Sequence, residues 1–203
     1  MTHAPADFEA ANHAPPATGA RVRADAQRNM LTLLHAAKNV FEESGVDAPV
    51  REIAIRAGVG VGTVYRHFPR RPDLVAAVFR HEMDACADAV DALAATYPPF
   101  EALTAAMQRF VELATTKRGL AQALHSGDPA FDALPARRDQ RLRPAFQALF
   151  RSAMAAGAIR SDIDADSFLN AASTLCMADH DDSGQAERMV GLLVDGLRCP
   201  GKS

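Results

Sequence analysis

The sequence holds no tryptophan, two tyrosines and three cysteines among its 203 residues. Cys86, Cys176 and Cys199 are odd in number and far apart, which excludes a disulfide framework and a zinc-ligand spacing and points to reduced thiols in the cytoplasm. No apolar run approaches the roughly 20 residues needed to cross a bilayer, so no membrane partner is expected. The first twenty residues lack the basic segment and continuous apolar stretch of a secretory signal. Strand-type alternation and internal repeats are missing. No glycine-rich phosphate loop follows a strand, and neither a nucleophile elbow nor an HExxH histidine pair exists, so the familiar signatures of nucleotide, hydrolase and metalloprotease chemistry are absent and no cofactor is expected.

What the chain does have is a pair of short helical periodicities around a glycine, VREIAIRAGVGVGTVYRHF at residues 50–68. Val50, Ile53, Ala54 and Ala57 recur at helical spacing on one face, and Val61, Val64 and Phe68 do so again after the break. Gly58 stands where the first helix ends, and glycine takes a positive φ there without a Cβ clash. So little chain between two helices demands a sharp turn, as in a helix-turn-helix, whose second helix enters the DNA major groove. The residues of that second helix expected to face outward are Gly62, Thr63, Tyr65, Arg66 and His67. They are small groups and hydrogen-bond donors, with no carboxylate to repel phosphate. An ordinary αα-hairpin is the plainer alternative; the donor-rich, acid-free face favours a DNA reader.

Charge distribution supports that reading where net charge does not. The whole chain carries −3. Residues 21–80 hold ten Lys and Arg against six Asp and Glu, an excess of +4, whereas residues 81–203 hold twelve against seventeen, giving −5. A positive segment followed by a negative one suits a reader domain joined to one that does not touch DNA.

Residues 28–75 resemble the DNA-binding domain of TetR-type transcriptional regulators. The resemblance is carried by Leu33 to Phe41 as a first helix with Gly45 as its stop, Val50 to Val59 as a second, Gly62 to Phe68 as a recognition helix, and Arg71 and Leu74 at the opening of a long fourth helix. It covers about a quarter of the chain. The resemblance implies phosphate and base contacts from Thr63, Tyr65 and His67, a phosphate clamp at Arg71, and base-edge positions at Val61 and Gly62. Valine offers apolar contact such as a thymine methyl and glycine only close approach, so Arg66 or DNA shape is left to carry much of the specificity. Arg28 is placed to lie near phosphate. The chain departs from the family at Met30 and Thr32, where arginine is common, at Ala48-Pro49, where a Ser or Thr N-cap is usual, and at Arg70, which fills a capping position. An uncapped fourth helix would cost on the order of 1 kcal/mol, offset in part by Asp73 near its positive end.

Along the chain, residues 1–20 read as a disordered tail, 21–71 as the helix-turn-helix domain and 72–203 as a helical regulatory and dimerisation domain; the fold class is all-α. The first helix is expected from about Arg23 to Ser44, with Met30, Leu33, Leu34, Ala37, Val40 and Phe41 as its apolar stripe. A long helix is expected from Pro72 to about Thr96, then helices at roughly 99–116, 118–126, 133–157, 164–178 and 184–198. By resemblance, the last two helices form the homodimer surface and the second domain holds a small apolar or amphipathic effector. Met83, Cys86, Met107, Phe110, His125, Phe146, Phe150 and Met154 are candidate cavity residues, although for most of them plain core is the simpler role. The acidic runs Asp162–Asp166 and Asp179–Asp182 read as turns and not as metal sites. The expected function is therefore a DNA-binding regulator, a repressor released from a palindromic double-stranded operator by its effector. The competing classes are an all-helical enzyme pairing Cys86 or Cys176 with His125 or His180, and a helical adaptor. The adaptor leaves the donor face of the recognition helix without a purpose.

Overall fold

The structure is a computed structural model that describes residues 18–178 and 184–199. Ten α-helices are present among the described residues: α1 (Thr18–Ser44), α2 (Val50–Ala57), α3 (Val61–His67), α4 (Arg71–Thr96), α5 (Pro99–Gly119), α6 (Ala121–Leu124), α7 (Leu134–Arg137), α8 (Arg143–Ala155), α9 (Ala165–Met177) and α10 (Gln185–Asp195). A 3-10 turn at Pro129–Phe131 precedes α7, and a π turn at Arg138–Leu142 joins α7 to α8. The only β-type contact among the described residues is an isolated bridge between Ile159 and Arg198. The all-α expectation holds. Most of the expected tail lies outside the described residues, but Thr18–Ala20 are already helical, so α1 begins five residues before Arg23. Ala20, Arg21, Arg23 and Ala24 are strong helix formers, and their propensity carries the helix back.

Helix α1 buries Leu33, Leu34, Ala37, Val40 and Phe41 against α2 and α4. From Leu74 to Phe79, six consecutive residues of α4 are buried. Six in a row cannot share one helix face, so the start of α4 is enclosed on all sides; α1, α5, α6, α7, α8 and the 3-10 turn all contact α4. One apolar core runs unbroken from Leu33 on α1 to Leu197 after α10. Ion pairs reinforce the same seams. Lys38 on α1 meets Glu82 on α4 at 2.7 Å, and Arg137 grips Asp84 with two bonds of 2.7 and 2.8 Å.

Where one helix was expected over 133–157, the run is broken by the π turn, and it spans Leu134 to Ala155. The expected weak opening of α4 also needs correction. The Asp73 carboxylate accepts from the Arg70 backbone N–H at 3.1 Å and from its guanidinium at 2.7 Å, satisfying part of the helix start from within. The expected turn at Asp162–Asp166 is a set of local partners. Arg160 pairs with Asp162, Asp164 accepts from Ser167 N–H at 2.9 Å as the cap of α9, and Arg143 holds Asp166. The Asp179–Asp182 run, with His180, lies outside the described residues.

Candidate nucleic-acid interface and interior cavity

Gly58 ends α2 at φ 67°, the left-handed value anticipated from the sequence, and its neighbour Val59 donates back to Ala54 O at 3.0 Å. That closure folds the chain over within two residues, and α3 starts at Val61. Val64 is the buried anchor of α3 and Phe68 is half-buried beyond it. Val61 does not join them: it lies 36% exposed at the first position of α3. Gly62, Tyr65, Arg66 and His67 face solvent, while Thr63 is half-buried. The exposed face therefore carries a phenol, a guanidinium, an imidazole and one valine. No carboxylate occurs between Val59 and Pro72, so nothing along it repels phosphate. At Gly62 an added Cβ would meet no atom within 4 Å.

Arg71 is the main correction at this site. Its guanidinium donates to the backbone carbonyls of Val46 and, at 2.6 Å, of Ala48, and it is half-buried. The side chain fastens the α1–α2 loop to α4, a structural role in place of the phosphate clamp expected from the sequence. Two partly buried carbonyls of an irregular loop need donors, and a forked guanidinium supplies both. Arg28 is exposed and paired on the helix surface with Asp25, an arrangement too weakly held to keep it from phosphate.

A cavity of about 400 Å³ lies among the helices that follow the helix-turn-helix. Its walls are Phe79 and Met83 of α4, the Phe110–Lys117 face of α5, Leu124 and His125, Phe131, the π turn and the Asp166–Ser173 face of α9. Of the eight residues expected there, Met83, Phe110 and His125 line it. Cys86, Met107, Phe146, Phe150 and Met154 do not. The first four are core side chains at most 3% exposed, with Phe146 stacked edge-on against Phe110 at 5.7 Å, and Met154 packs half-buried against that core. The polar residues of the wall were missed: Lys117, Arg138, Asp139, Arg143, Asp166, Asn170 and Ser173. A signal existed. Positions 110, 113, 114 and 117 on α5, and 166, 169, 170 and 173 on α9, are one helical face each, and a polar residue on an apolar stripe marks where that stripe meets something other than core.

The buried thiols do not suit nucleophilic chemistry. Burial pushes the Cys86 thiol up to about 12 and raises that of Cys176, so both stay protonated at neutral pH. No group of three or more His, Cys, Asp and Glu able to hold a metal occurs among the described residues. No helix among them is long and apolar enough to cross a membrane.

Comparison with known proteins agrees with this geometry. Residues 33–78 match bacterial regulatory proteins of the tetR family, and residues 98–199 match the C-terminal domain of SbtR-like transcriptional regulators. A TetR transcriptional regulator from Streptomyces coelicolor superposes with a TM-score of 0.73 at 40% identity, over 84% of this chain and 98% of its own. A TetR regulatory protein from Mycobacterium vanbaalenii gives 0.68 at 35% identity, over 88% and 99%. An HTH-type transcriptional regulator of Staphylococcus aureus (strain USA300) is 36% identical over 64 residues, 31% of this chain and 35% of that relative's length. A sharp turn at Gly58, an acid-free helix beyond it and matches to both halves lead to one conclusion: the chain belongs to the TetR family of helix-turn-helix transcriptional regulators, and is not an enzyme.

Proposed function

We propose that this regulator is a cytoplasmic repressor. It works as a two-fold homodimer whose paired α3 helices enter the major groove at two half-sites of a pseudo-palindromic operator about one helical turn apart. The observation that carries the reading is the exposed, acid-free face of α3. On it Tyr65, Arg66 and His67 supply donors to phosphate and base edges, Thr63 a hydroxyl, Val61 an apolar contact, and Gly62 room for the backbone to approach. Arg28 adds a phosphate contact from α1. Arg71 acts one step back, holding the loop and α4 in register. The dimer surface is formed by α9 and α10, where Leu192 is 64% exposed.

Effector release follows from what surrounds the cavity. Leu124, His125 and Phe131 line it, and between them Asp128 forms an ion pair of 3.2 Å with Arg70, the residue immediately before α4. A ligand that moves this wall acts on the root of α4, and through it on the spacing of the two α3 helices. Operator affinity then falls by the ligand's preference for the misplaced form.

Selection of bound duplexes from a random DNA pool, followed by the salt dependence of the winning site, tests the reading. A palindromic site whose affinity falls steeply with salt is expected. No enrichment at low salt would overturn it.

A further inference from the structure

We propose that the ligand of the interior cavity is an anionic amphiphile, an apolar body ending in a single carboxylate that is held by Lys117. The inference rests on the effector reading above and adds the ligand's chemical class. The cavity of about 400 Å³ has room for roughly a dozen non-hydrogen atoms, at about 30 Å³ for each water-sized group. Its body is apolar, with Phe79, Met83, Phe110, Phe131 and Leu142 among the walls.

The charges on the wall do not balance. Lys117, Arg138 and Arg143 face only Asp139 and Asp166. Asp166 is fully engaged, accepting from Arg143 at 2.8 and 2.6 Å and from Gln147 at 3.1 Å. Asp139 is paired with Arg138 at 2.9 Å. Lys117 is half-buried and, among the described residues, has no carboxylate partner. Filling the cavity strips water from that ammonium. A neutral or cationic ligand leaves it desolvated and unpaired, which is costly, whereas a carboxylate restores the lost solvation with a charge-assisted bond. Asn170 and Ser173 on the α9 wall add neutral donors that suit the same oxygen atoms. The site thus selects for an anion partly by what it penalises.

Titration calorimetry of the full chain with octanoate, 1-octanol and octylamine tests this, because the three share a body and differ in the head group. Octanoate should bind about ten- to a hundredfold tighter than 1-octanol, with octylamine weakest. Lys117→Met should erase the preference and bind 1-octanol more tightly than the unaltered chain does, because the unpaired ammonium is gone, and that retained binding also reports that the variant is folded; Lys117→Arg should keep the preference. Equal affinities for octanoate and 1-octanol would overturn the anion class while leaving a ligand cavity. A preference that survives in Lys117→Met would remove Lys117 from the site, and no saturable binding of any of the three would overturn the proposal outright. Operator binding measured with the same compounds separates the two claims: Lys117-dependent octanoate binding that leaves the DNA complex intact refutes the effector reading and not the ligand class.

Discussion

Position 62 carries a residue that the free protein does not require. Gly62 has an ordinary negative φ, and a Cβ built there touches nothing. Gly62→Ala should therefore raise stability by a few tenths to about 1 kcal/mol, read by chemical denaturation, while operator affinity falls. Unchanged affinity would remove that position from the DNA contact surface. Arg71 behaves in the opposite way. Losing its bonds to Val46 O and Ala48 O should cost about 1–3 kcal/mol in Arg71→Ala, while the salt slope of operator binding stays as it was; a slope one unit shallower would restore it as a phosphate contact. These residues mark the limits of legibility. Gly58 could be read from sequence because a left-handed helix end has a chemical signature. Arg71 could not, because its partners are backbone carbonyls of a loop, and main-chain acceptors leave no trace in residue identity.

At the scale of elements, amphipathic spacing located nearly every helix, since burial of one face is what makes a helix in this chain. It could not find the π turn at Arg138–Leu142, where Arg137 to Arg141 are all polar and no apolar spacing is present to register a change in winding. Nor could it separate cavity from core, because both are lined by the same side chains. Helical spacing from Met189 puts Leu192 and Leu193 together on the apolar stripe of α10, yet Leu193 packs half-buried against the core and Leu192 stands out. Leu192→Asp should give monomers in sedimentation at micromolar concentration without loss of helicity; a persisting dimer would move the interface elsewhere. The start of α9 carries a pH dependence. The Ser167 N–H and hydroxyl hold the Asp164 carboxyl below the usual range, and the Arg143 guanidinium does the same for Asp166. A carboxyl with a lower value folded than unfolded adds stability above its unfolded value and loses it as pH falls through the folded one. Melting temperature should thus drop on acidification below about pH 4, and less steeply in Asp166→Asn; identical slopes would show that the pair contributes nothing.

For the whole molecule, the division expected at residues 71 and 72 falls inside the stretch 33–78 that matches the tetR family and cuts through packed side chains. Both sides rest on α4, which contacts α1 as well as α5 to α8 and buries six consecutive residues from Leu74 to Phe79. The consequence lies in how the protein comes apart. A reader and a sensor joined by a linker would melt as two events, and either could be excised and studied alone. A helix that serves as core for both leaves no such seam, so heating should give one calorimetric transition whose enthalpy equals the van't Hoff value for the whole folding unit, and residues 21–71 expressed alone should lack fixed tertiary structure. Two resolved peaks would contradict this. The same indivisibility makes thermal stability a direct readout of occupancy: a molecule that fills the cavity must also postpone the melting of the DNA-binding helices, although it touches none of them.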